Sequence, residues 1–138
     1  MCLYITQKQY RPYSRGVAGG FDPVVRKTPH IAYKAVMSVD GKFITPYQNA
    51  TVRLGVVYKA SIRPVWDVVR AGLHMCLNMT STRRHANDVL VALVPPGAEV
   101  YYSKYHDEIA VSEAVYFRTR DAAELWWKNN WQKYKDKM

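Results

Sequence analysis

"GLHMCLNMTSTRRHANDVLVALVPPGAEVYYS", residues Gly72 to Ser103, decides how this chain folds. At its centre Val89 to Val94 (VLVALV) is an unbroken apolar run of strand length, the pattern of a strand covered on both faces. Pro95-Pro96-Gly97 ends that run, because proline cannot donate to a strand ladder. On the N-terminal side, "STRRHANDV" predicts a short helix with Ser81 or Thr82 as its N-cap. Before it, "VWDVVRAGLHMCLNM" fits a helix or a strand, with Gly72 as a break and "LHMCL" extended after it.

Working outward, "IAYKAVMSV" and "KFITPY" flank Asp40-Gly41, a strong two-residue hairpin signal. "TVRLGVVYKAS" follows as a third strand, whose alternation puts Val52, Leu54, Val56 and Tyr58 on one face. "EVYYS" and "EIAVSEAVYFRT" supply two more strands. The chain closes with a helix in "DAAELWWKNNWQKYKDKM", where Asp121 and Glu124 have capping-box spacing. Trp127, Trp131 and Tyr134 form an apolar stripe expected to pack on the sheet, with Trp126 on its exposed flank. The expected fold is α+β: a compact, mostly antiparallel sheet of about six strands, a short helix and a C-terminal amphipathic helix. Residues 1–30 read as an irregular arm rich in basic and aromatic residues, and residues 31–138 as a single α+β domain. That arm either lies across the domain or stacks on a nucleic acid.

Composition bounds the function. With 49% apolar and 22% charged residues the chain is globular rather than disordered. No window is long and apolar enough for a transmembrane helix, and the N-terminus lacks the apolar core of a secretory signal. Two cysteines argue against a disulfide framework and point to a reducing cytosol. A net charge of +9 favours an anionic partner: nucleic acid, a nucleotide, an acidic protein or an anionic surface.

Three groups of residues carry candidate chemistry. His74 and Cys76 share a strand face as two potential metal ligands, but a third from His85, His30 or Cys2 has no ligand spacing, so no metal is expected. Burial in the core is the better account of the pair. The second group is basic: Lys34, Arg53 and Lys59 are expected on one sheet face, with Arg83 and Arg84 at a nearby helix start. Together with Tyr47, Tyr58 and His74 they form a candidate cradle for a phosphate or nucleotide. The third is Glu108, which opens "EIAVSEAVYF".

Two resemblances bear on these residues. The order "MCLY", "YKAV", "TPYQ", Gly55 to Tyr58, "GLHMCLN" and "VALVPPGAEVYYS" resembles a family of small phage and prophage proteins without a settled activity. It implies an accessory viral protein acting in the cytoplasm of a bacterial host, in counter-defence or host takeover. More distantly, Gly72-Leu73-His74, Ala86, Val89 to Gly97 and a strand opened by Glu108 resemble the ADP-ribosyltransferase superfamily. That resemblance implies NAD as cofactor, Glu108 as catalytic residue and Lys34 or His30 as the cofactor contact on the first strand. The superfamily's His-Gly-Thr and Ser-Thr-Ser signatures are missing here. The sequence therefore leads to a binding protein without a cofactor, acting on an anionic ligand or a host component, with an NAD-dependent transferase as the rival.

Overall fold

The computed structural model describes residues 3–46, 49–83 and 86–138. The arm holds four two-residue strands: β1 (Leu3–Tyr4), β2 (Tyr10–Arg11), β3 (Gly20–Phe21) and β4 (Val24–Val25). After it come β5 (His30–Val39), β6 (Lys42–Ile44), β7 (Thr51–Val52), β8 (Val57–Lys59), β9 (Val68–Val69) and β10 (Leu73–Cys76). A short helix α1 (Met79–Arg83) leads to β11 (Asp88–Val94), β12 (Glu99–Tyr102), β13 (Glu108–Val111) and β14 (Glu113–Phe117). Helix α2 (Arg120–Asn130) and a 3-10 segment, Trp131–Lys137, finish the chain. No helix among the described residues is long and apolar enough to cross a membrane.

The class is α+β with antiparallel pairing throughout, but the main sheet has ten strands rather than about six. Two expected strands each break in two. The run from Thr51 turns at Gly55, whose φ of 73° suits glycine and whose N–H donates to the Tyr116 carbonyl. Leu54 and Val56 are therefore exposed, not inward with Val52. The second break is at Ser112, whose Oγ accepts from the Glu99 N–H at 2.8 Å. The remaining addition is β4, brought by the arm to the edge of β12.

β11 does what its apolar run predicts. It pairs with β5 over seven consecutive residues, from Asp88↔Val36 to Val94↔His30, and with β14 on its other edge. Leu90, Ala92 and Val94 join the central core, while Val91 and Leu93 meet Phe117 and Ala123 beneath α2. On its opposite edge, β5 meets β10 in register only at Cys76↔Tyr33. The sheet thus parts between β5 and β10 into two halves. Their inner faces share one core, with Ala32, Val36 and Tyr116 from one half and Met75, Val100, Ile109 and Val111 from the other. The Asp40-Gly41 hairpin forms as expected, with positive φ at both residues (50° and 75°) and Val39 paired to Lys42.

Each outer face has its own cover. α2 covers one through Trp126 and Trp127. The arm covers the other with Leu3 and Ile5, which pack on Val69, Tyr101 and Ala110. The arm is not merely irregular, because Gln9 anchors it. Its side-chain amide donates to Val100 O and Asp22 O and accepts from Tyr102 N, all within 3.0 Å. Nearby, Thr6 N donates to Tyr102 O and Ile5 bridges to Ser103, so the outer edge of β12 is closed by the arm.

The helix caps differ from expectation. Asn78, not Ser81 or Thr82, caps α1: its Oδ1 accepts from Ser81 N at 2.7 Å, which puts both expected caps inside the helix. Thr119, not Asp121, caps α2 by accepting from Ala122 N, and Asp121 falls in the first turn. Trp131 is exposed, whereas Trp126 packs on Phe117 and Tyr134. The α-helical period stops at Asn130, and the tighter 3-10 turn re-aims the last side chains of the stripe. Tyr134 then reaches under the helix and donates to Glu113 Oε2 at 2.7 Å in a buried pair.

Candidate ligand cavity

Where β5 and β10 part, the backbone ladder is replaced by a side chain. Lys34 Nζ spans the gap and donates to the His74 carbonyl at 2.7 Å. Around it lies a cavity of about 140 Å³. Its described walls come from β5 (Lys34, Ala35), the segment after β6 (Thr45, Pro46, Ala50, Thr51, Val52), Tyr58 of β8, β10 with Gly72, and Tyr116 of β14. Most of this lining is apolar, and no described wall residue is Asp or Glu.

Strand alternation places Lys34 there. Ala32, Lys34 and Val36 share one face of β5, and Ala32 and Val36 are core residues. A lysine in that phase turns its stem into the core and its ammonium to whatever polar group the gap provides. Burial lowers the Lys34 pKa to about 8. His74, buried on β10, is lowered to about 4 by burial and then by the Lys34 charge, so its ring is neutral at physiological pH. Its Nε2 finds no hydrogen-bond partner among the described residues. Burial pushes the Cys76 thiol up, keeping it protonated. Tyr116 is pushed up by burial and by Tyr58, whose ring lies 5.7 Å away. The Tyr58 hydroxyl accepts from Arg53 N at 2.9 Å, which fixes the phenol at the cavity wall.

The described residues do not place Lys34, Arg53 and Lys59 on one sheet face. Of the predicted cradle, the cavity gathers Lys34, Tyr58 and His74. Arg53 is exposed in the turn after Val52. Lys59 alternates away from Tyr58 and is exposed on β8, three strands from β5. Arg83 ends α1 and is exposed. Arg84, Tyr47, His85 and Cys2 lie outside the described residues. The sheet face cannot be shared because Lys34 points inward between the two halves, whereas Lys59 points outward. Tyr116 and Thr45 also line the cavity, and the sequence pattern does not mark them as ligand contacts. The available signal for Tyr116 was its phase with Ala114 in "EAVYF", which makes it an inward residue.

Glu108 opens β13 opposite Cys76 and does not line the cavity. His30 pairs with Val94 at the far end of β5 and is likewise absent from the walls. Burial, then the Arg26 charge, lowers its pKa to about 4. No group of three potential metal ligands occurs among the described residues.

Comparisons of the chain with family models, curated proteins and solved structures found no match.

Proposed function

We propose that the chain is a binding protein for a small anionic ligand with an apolar body, held in the cavity between β5 and β10. One observation carries this. The Lys34 ammonium stands in a largely apolar cavity with a main-chain carbonyl as its hydrogen-bond acceptor and no described carboxylate in ion-pair range. A charge withdrawn from water is costly unless compensated, and a ligand anion supplies that compensation. The tyrosine rings of Tyr58 and Tyr116 offer flat apolar contact beside it. Arg53, exposed in the turn after the wall residue Val52, adds long-range attraction. The biological setting, a phage protein acting against a bacterial defence, rests on the sequence resemblance alone.

Binding of AMP and of benzoate, titrated at low and at physiological salt, tests this reading. Lys34→Gln is expected to weaken whichever anion binds by about tenfold or more, the scale of a charge-assisted contact. Arg53→Ala is expected to weaken it about threefold and to flatten the salt dependence. Absence of binding by both anions at low salt, or full affinity in Lys34→Gln, refutes the reading.

A second reading, an NAD-dependent ADP-ribosyltransferase, is favoured by the position of Glu108. It opens β13 directly opposite Cys76, a cavity-wall residue, and follows the strand, helix and strand from Gly72 to Val94. Incubation with labelled NAD and bacterial lysate separates the two. Label transfer abolished by Glu108→Ala supports the transferase and overturns the non-enzymatic reading.

A further inference from the structure

We infer that the Lys34 amine is a nucleophile that condenses with a small aldehyde of apolar body to form an imine inside the cavity between β5 and β10. The proposal rests on the same cavity as the binding function but not on a charged ligand. The chain has ten lysines, and the other nine are exposed. Among the lysines, Lys34 alone is largely withdrawn from water, with its amine at a partly open cavity. The groups lining that space with it are His74 and Cys76 on β10, Tyr58 on β8, Tyr116 on β14, and Thr45. None of these is a carboxylate, so the amine has no ion-pair partner among them; the His74 carbonyl and the Cys76 sulfur favour its charged form, and burial outweighs them. A carboxylate partner, the usual fate of a buried lysine, would have quenched its nucleophilicity.

The protonation balance then favours reaction. An amine titrating near 8 is about one-tenth free base at pH 7, whereas an ordinary exposed lysine is free base at roughly one part in a few thousand. The step itself conserves atoms and electrons. The nitrogen lone pair attacks the carbonyl carbon, forming the C–N bond, and the carbonyl oxygen takes a proton to give a carbinolamine. Loss of water, with the remaining N–H proton, leaves the C=N bond. The proton that the oxygen takes is the one the nitrogen sheds after its attack, so the step needs no further group. The apolar walls limit the water that would reverse the condensation.

Reductive trapping tests the proposal on the full-length protein. Benzaldehyde with sodium cyanoborohydride at pH 7, followed by intact mass and peptide mapping, is expected to place the first benzyl group on Lys34. Its rate should exceed that at any exposed lysine by about tenfold or more. The advantage is expected to shrink as pH rises toward 10.5, where exposed lysines also deprotonate. Lys34→Arg is expected to remove the fast adduct while keeping a positive charge at the site. Labelling spread over exposed lysines with Lys34 no faster, or a fast adduct that persists in Lys34→Arg, overturns the inference. Should Lys34→Arg fail to fold, the wild-type peptide map decides alone. The two proposals fail separately. Loss of trapping with AMP or benzoate binding intact sinks only the imine, whereas fast Lys34 trapping without binding of either anion sinks only the anion reading.

Discussion

The two edges of β5 are built from the same ten residues yet behave in opposite ways. Toward β11 the strand is zipped for seven residues, with apolar side chains above and below the ladder. Toward β10 it holds one registered pair, and a lysine side chain spans the gap that opens beyond it. Repeated main-chain pairing leaves no room for a ligand. Interrupted pairing exposes backbone carbonyls and creates a cavity, but a polar group must then satisfy what the ladder abandoned. A single inward lysine meets that demand and also becomes the reactive centre of the site.

Removing packing from the closed edge should have the largest effect. Leu90 is fully buried on β11 directly opposite Lys34. Leu90→Ala is expected to cost about 2–5 kcal/mol in denaturant unfolding. A cost under 1 kcal/mol would mean that this edge is no tighter than the other.

The open edge should respond with the opposite sign. The Lys34 pKa is about 8 in the fold against 10.5 for an ordinary lysine, so between these values the unfolded chain binds more protons. This group's contribution to stability therefore rises with pH from about 8 to 10.5, and its burial penalty is fully present below 8. Lys34→Met is expected to stabilise the protein at pH 7 by up to about 3 kcal/mol, with the gain gone near pH 10.5. A wild-type-minus-variant difference that stays flat across that range contradicts the burial of a charged amine.

Smaller effects sharpen the contrast at its margins. Gly72, at the start of the open edge, has a φ of 124°, and a Cβ there would lie 3.0 Å from Ile62 Cγ1. Gly72→Ala is expected to cost roughly 1–3 kcal/mol by thermal unfolding. At the end of the closed edge, the Asp88 carboxylate meets Arg118 at 2.8 Å in partial exposure. Asp88→Asn is expected to cost under about 1 kcal/mol, and less in high salt.

Much of the closed edge was legible before the structure. VLVALV names a strand covered on both faces, and Asp40-Gly41 names the turn that returns β5, because both signals are local. The open edge was harder. The sequence marks Lys34 as a ligand contact, yet nothing local says that β5 and β10 separate after a single pair. The partition of the basic residues failed for the same reason: it took the run from Thr51 to Lys59 as one continuous strand, and the turn at Gly55 changes which side chains face inward. His74 and Cys76 fit the core by their spacing, and they are buried, but they also form part of a wall. A cavity is a relation among strands far apart in sequence, so its walls carry no spacing pattern of their own.

The closure of β12 by the arm has a consequence for how copies of this chain meet. Gln9, Thr6, Ile5 and β4 occupy the hydrogen-bonding groups along that side of the sheet. At the other end, β8 has no strand beyond it among the described residues, and Val56 and Val57 are exposed beside it. Among the described residues one end of the sheet thus finishes in the two-residue strand β4 and the other in the three-residue strand β8, so both rims are short. If two chains join β8 to β8 around a two-fold axis, each has used that rim, and further pairing would have to start from the two-residue strands β4 or β7.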